Sequence, residues 1–86
     1  MNMNVTVRYF ASIREAIGVT QEAIVTPSTT LAELRQELIA RGGAHAVALA
    51  HGRAVRLALN QVMAHDETAA LGEGCEVAFF PPVTGG

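Results

Sequence analysis

The groups in this chain that could do chemistry are three histidines, one cysteine, a scatter of hydroxyls and a diglycine at positions 85 and 86. His45, His51 and His65 make no ligand set: His45 and His51 stand six apart, so even on one helix they would point away from each other. Cys75 is alone, which excludes an internal disulfide and a multi-cysteine metal site. Its spacing from Val77 and Phe79 puts it on an apolar strand face, where a thiol packs as a small hydrophobe. Ser12, Ser28 and the threonines lack a recognisable base partner. Gly72-Glu73-Gly74 precedes a strand instead of opening a helix, so it reads as a turn and not as a phosphate loop. No nucleophile motif or metal site is expected.

The segment Pro81-Pro82-Val83-Thr84-Gly85-Gly86 has another character. Two prolines remove amide donors and disfavour helix, so the chain should leave the last strand extended. Six residues reach about 20 Å at roughly 3.4 Å each, enough to thread a channel in another protein. Gly85 and Gly86 carry no side chains, so an enzyme could close round the backbone and reach the Gly86 carboxylate. The alternatives are a frayed end and a proline-rich ligand, although Pro81-Pro82 lacks PxxP spacing.

These groups need a domain to carry them. Eighty-six residues, half of them apolar, make one small domain with a modest core. The apolar residues fall in short runs, none near the roughly 18 positions of a membrane span, and Met1 to Asn4 opens no secretory signal. A soluble, cytoplasmic protein is expected. Six basic residues against eight acids give a net charge of −2, which speaks against nucleic acid. All six are arginine, so no lysine is present to accept an activated carboxylate.

Met3, Val5, Val7 and Tyr9 alternate with polar residues, the period of a half-buried strand. A helical stretch from Ala11 to Ile17 ends at Gly18, and Val19 to Val25 resumes strand composition, giving a hairpin with a broad connection. Thr30-Leu31-Ala32-Glu33 fits a capping box, with the Thr30 hydroxyl on the Glu33 amide and the Glu33 carboxylate on the Thr30 amide. The helix it opens buries Leu31, Leu34 and Leu38, adds a Glu37–Arg41 pair on its wet side, and ends at Gly42-Gly43. Strands are expected over Val55–Leu59 and Cys75–Phe80, with a brief pairing by Gln61–His65 and turn or short-helix structure over Asp66–Gly74. The order β, β, α, β, β predicts an α+β fold, a mixed sheet wrapped across one main helix, which is the β-grasp or ubiquitin-like layout. Residues 1–80 would form the domain and 81–86 a flexible tail.

Strand phase adds a second clue. If Cys75, Val77 and Phe79 face the helix, Phe80 points away, as does Phe10 if Tyr9 is buried. Two outward phenylalanines beside a protruding tail suggest a docking patch, provided their strands are neighbours; the alternative is an edge packed against the chain's own loops.

The run Val77-Ala78-Phe79-Phe80-Pro81-Pro82-Val83-Thr84-Gly85-Gly86 resembles the C-terminus of the molybdopterin synthase small-subunit family, often called MoaD. The opening from Val5 to Glu15 and the helix from Thr30 to Arg41 resemble it too, whereas Arg53 to Leu71 matches less distinctly. The resemblance implies a carrier that holds no cofactor. An E1-like adenylyltransferase would use ATP to adenylate Gly86, and a sulfur donor protein would supply the thiocarboxylate. The large synthase subunit would take the tail and pass sulfur to precursor Z, cyclic pyranopterin monophosphate, with two carriers flanking a dimer of large subunits. It also implies partner contacts by Phe10, Phe80, Pro81, Pro82, Val83, Thr84 and Gly85. A thiamin-type sulfur carrier and a ubiquitin-like protein modifier share the diglycine and are the rival readings.

Overall fold

The computed structural model describes residues 2–82. Five strands form one sheet: β1 (Met3–Tyr9), β2 (Gln21–Thr26), β3 (Arg56–Leu59), β4 (Val62–Met63) and β5 (Cys75–Phe80). Their order across the sheet is β2-β1-β5-β3-β4. β1 pairs antiparallel with β2 and parallel with β5, bringing Val7 opposite Val77 and Tyr9 opposite Phe79. β3 runs antiparallel to both β5 and β4. The alternation read from the sequence holds, since Val5, Val7, Tyr9, Cys75, Val77 and Phe79 are all buried on one face.

Three helices accompany the sheet: α1 (Ala11–Ile17), α2 (Leu31–Ile39) and α3 (Gly43–Leu49). Leu31, Leu34 and Leu38 of α2 join the inner sheet face in a single core with Ile13, Leu49 and Leu57. This is the α+β β-grasp architecture. α1 fills the connection between β1 and β2 and closes on Gly18 at φ +91, a left-handed position that glycine takes without steric cost.

Three details depart from expectation, and a fourth adds to it. The Thr30 hydroxyl does accept the Glu33 amide, at 3.2 Å, but the Glu33 carboxylate reaches one residue further back, to the amide and hydroxyl of Thr29 at 2.7 and 2.8 Å. Arg41 does not pair with Glu37. It reaches Glu22 of β2 at 2.7 Å, while Glu37 accepts from the hydroxyls of Thr26 and Ser28. A helix for which no expectation was stated, α3, covers the alanine-rich residues around His45. Residues 66–74 hold turns and no helix, because their carbonyls are engaged elsewhere, with Glu67 and Ala69 accepting the free amides of Ala32 and Leu31 at the start of α2.

His45 and Tyr9 meet edge to face at 5.9 Å, and both approach Glu22, which accepts the Tyr9 hydroxyl at 2.7 Å and lies 3.2 Å from His45 Nε2. Burial works against the Glu22 charge, but hydrogen bonds from Arg41, Tyr9 and His45 outweigh it and hold its pKa down at about 2. Burial first, and the neighbouring carboxylate second, push the Tyr9 phenol well above its ordinary range.

Candidate docking face and tail base

The parallel register of β1 and β5 makes Phe10 and Phe80 neighbours. Phe10 follows the last residue of β1, its amide donates to the Phe79 carbonyl at 3.1 Å, and its ring meets that of Phe80 in a T-shaped contact with centroids 6.4 Å apart. Both rings stand on the outer sheet face, half-buried. Directly after Phe10 the backbone of Ala11 takes φ +51, a conformation costing an L-residue about 1 kcal/mol, at the bend from β1 into α1.

Other side chains complete this face, and sequence reading did not single them out. The Arg8 guanidinium lies 5.1 Å from the Phe10 ring centroid, a cation–π distance, and 3.5 Å from Glu76. Its Nε is buried with no hydrogen-bond partner among the described residues. Ala58 and Ala78 sit opposite each other on β3 and β5. Being small, they form the floor of an open concavity of about 390 Å³, with the phenylalanines and Met63 around it. The signal for them was phase: Arg8 shares the outer face with Thr6, and Ala78 with Phe80. What was missing from the sequence was the pairing of β5 with β3.

Beyond Phe80 the chain leaves the sheet at Pro81 and Pro82, which belong to no strand. Pro81 lines one groove together with Ser12, Ile13, Arg53 and Val55. Pro82 lines a second, with Val55, Arg56, Asp66 and Glu67. Val83, Thr84, Gly85 and Gly86, and with them the expected reactive carboxylate, lie outside the described residues.

The described residues offer little other chemistry. Cys75 is buried under the sheet. Ser28 donates to Glu37 at 2.8 Å, within a cluster that ties the end of β2 to α2. No group of three or more His, Cys, Asp or Glu among the described residues could hold a metal ion, and none of their helices is long and apolar enough to cross a membrane.

Comparison with known proteins adds to this geometry. The chain is 38% identical over 82 residues to the molybdopterin synthase sulfur carrier subunit of Escherichia coli (strain K12), covering 95% of this chain and 99% of that protein. A Helicobacter pylori 26695 structure, the complex of subunits 1 and 2 of molybdopterin-converting factor, contains a similar chain. It has a TM-score of 0.65 and 30% identity, over 98% of this chain and 100% of that one. SAMP1 from Haloferax volcanii is similar at a TM-score of 0.73 and 25% identity, over 96% and 99% of the two chains. Residues 7–86 match the model of the ThiS family, nearly the whole length of the chain, and the chain belongs to that family.

Proposed function

We propose that this chain is the sulfur carrier subunit of a cytoplasmic molybdopterin synthase, a non-catalytic partner whose Gly86 carboxylate is the group that reacts. The observation that carries the proposal is the likeness to the Escherichia coli carrier subunit over 95% of the chain. The juxtaposed Phe10 and Phe80 beside the tail base support it, since aromatic side chains on an outer face suit the centre of an interface.

The chemistry follows from the weakness of a carboxylate as an electrophile. A Gly86 oxygen attacks the α-phosphorus of ATP in an E1-like enzyme, pyrophosphate leaves, and the carboxylate becomes an acyl adenylate. Hydrosulfide supplied by the donor protein then attacks the acyl carbon, AMP leaves with the broken C–O bond, and the product is a thiocarboxylate. ATP is bound by the activating partner and not by this chain. Residues 81–86 act as the arm on the 1–80 domain, with Pro81, Pro82, Val83, Thr84 and Gly85 inside the partner's channel. In the large subunit of the synthase the thiocarboxylate attacks precursor Z, and confinement there raises its effective concentration. Two carriers flanking a dimer of large subunits is the assembly this reading implies.

A second reading, a protein modifier, is favoured by the likeness to SAMP1, the small archaeal modifier protein 1 of Haloferax volcanii. The experiment incubates the intact chain with an E1-like activator, ATP and a sulfur donor, and follows the mass. Replacement of one oxygen by sulfur is expected, lost when a residue is added after Gly86 or when Gly86 is deleted. Amide-linked adducts on other proteins would favour the modifier instead. Thiolation that survives Gly86 deletion and disappears in Cys75→Ala would overturn the proposal.

A further inference from the structure

We infer that Arg35, buried inside the domain, is a positioning residue that sets the base from which the C-terminal arm departs; this rests on the carrier reading. Arg35 belongs to α2 and is 4% exposed, next to helix positions that leucine fills. A buried guanidinium is costly unless its donors are met, and an apolar side chain at such a site is often no less stabilising. Here they are met by two separate segments. Nε donates to the Leu49 carbonyl at 2.8 Å, and Nη2 to the carbonyls of Ala50 at 2.8 Å and Arg53 at 3.4 Å. Nη1 donates to Glu67 Oε2 at 2.7 Å. The planar fork of arginine suits this bridging in a way a lysine ammonium does not.

The two segments wall the tail base. Residues 52–55, which Arg35 holds through the Arg53 carbonyl, line the groove beside Pro81. Glu67, held through its carboxylate, lines the groove beside Pro82. One side chain therefore links both walls through the core, and for the 66–69 segment it adds to the Leu31 and Ala32 amides that already tie its backbone to α2. The reacting Gly86 is joined to the domain through Pro81 and Pro82, so a shift of their walls shifts the point from which the tail starts.

The test takes the full-length carrier as the varied substrate of its activating enzyme and compares Arg35→Gln, Arg35→Lys and Leu38→Ala. Leu38→Ala serves as a core lesion away from the tail base. Loss of folded population lowers the effective substrate concentration and raises KM; a misdirected arm on an intact docking face lowers kcat. Arg35→Gln should lower kcat about tenfold with KM nearly unchanged, Arg35→Lys should fall between, and Leu38→Ala should alter only KM. Backbone amide shifts in Arg35→Gln should move at Val55, Arg56 and Phe80. If both Arg35 variants change KM alone, as Leu38→Ala does, or if those amides stay in place, the inference is wrong and Arg35 only supports the fold. A wild-type chain that is never thiolated refutes the carrier reading instead, and the amide shifts still decide whether Arg35 shapes the tail base.

Discussion

Phe79 and Phe80 are adjacent in sequence and identical in side chain, yet they occupy opposite sides of β5. Phe79 is fully buried, stacked on Tyr9 with centroids 6.2 Å apart and planes 20° from parallel. Phe80 is half-buried on the outer face against Phe10. The strand's period of two thus places one residue type on two faces, serving cohesion within the domain on the inner one and, in the function proposed above, recognition on the outer one. The inner face is closed by helices; the outer face keeps two aromatic rings and an arginine Nε with no partner among the described residues.

The largest effect that could break this contrast is Phe79→Ala. Truncating a fully buried phenylalanine should cost about 3–5 kcal/mol of stability, read by denaturant unfolding, and a small loss would mean that the inner face tolerates a void. Phe80→Ala should cost about 1.5–3 kcal/mol of affinity for the large synthase subunit and less than that in stability. Calorimetric binding set beside thermal unfolding checks it; equal losses in both would erase the distinction.

Glu22 sharpens the inner half. Its pKa in the folded chain, about 2, lies below the ordinary 4.5, so its contribution is fully present above 4.5 and is lost as pH falls through 2. Acid titration of unfolding midpoints should show wild-type stability declining across that window, and Glu22→Gln should flatten the decline. An unchanged profile would show that Arg41 and His45 hold Glu22 less firmly than the geometry indicates. The smallest effect expected is Cys75→Ala, about 1 kcal/mol of stability from lost burial, with thiocarboxylate formation at the C-terminus unaltered by mass spectrometry.

The phase of this comparison was legible from sequence because it is a local property: alternation in β1 and β5 put Tyr9 and Phe79 inside and Phe10 and Phe80 outside. The Thr30 cap was legible for the same reason. Partners brought by tertiary structure were not. Arg41 has Glu37 one helical turn away, but Glu22 on β2 captures it. α3 was hidden because GAHAVAL has no polar N-cap side chain and no clear periodicity, and its last carbonyl is met by Arg35 from another helix. The turns of 66–74 looked capable of a short helix, but their carbonyls serve α2. The candidate docking face was half legible, two aromatics out of a surface whose alanine floor depends on β5 pairing with β3.

That pairing also bears on how the protein is made. β5 lies between β1 and β3, hydrogen-bonded on both sides, although β1 is the first strand to be synthesised and β5 the last. Until β5 is released, β1 has only β2 beside it and the core lacks Val77 and Phe79, so completion of the domain waits on contacts between opposite ends of the sequence. A chain stalled or clipped before Cys75 lacks the strand that joins β1 to β3. Folding therefore screens for β5 and not for the arm: a product without β5 is left to proteolysis, whereas one that ends just after Phe80 keeps all five described strands and lacks only its tail.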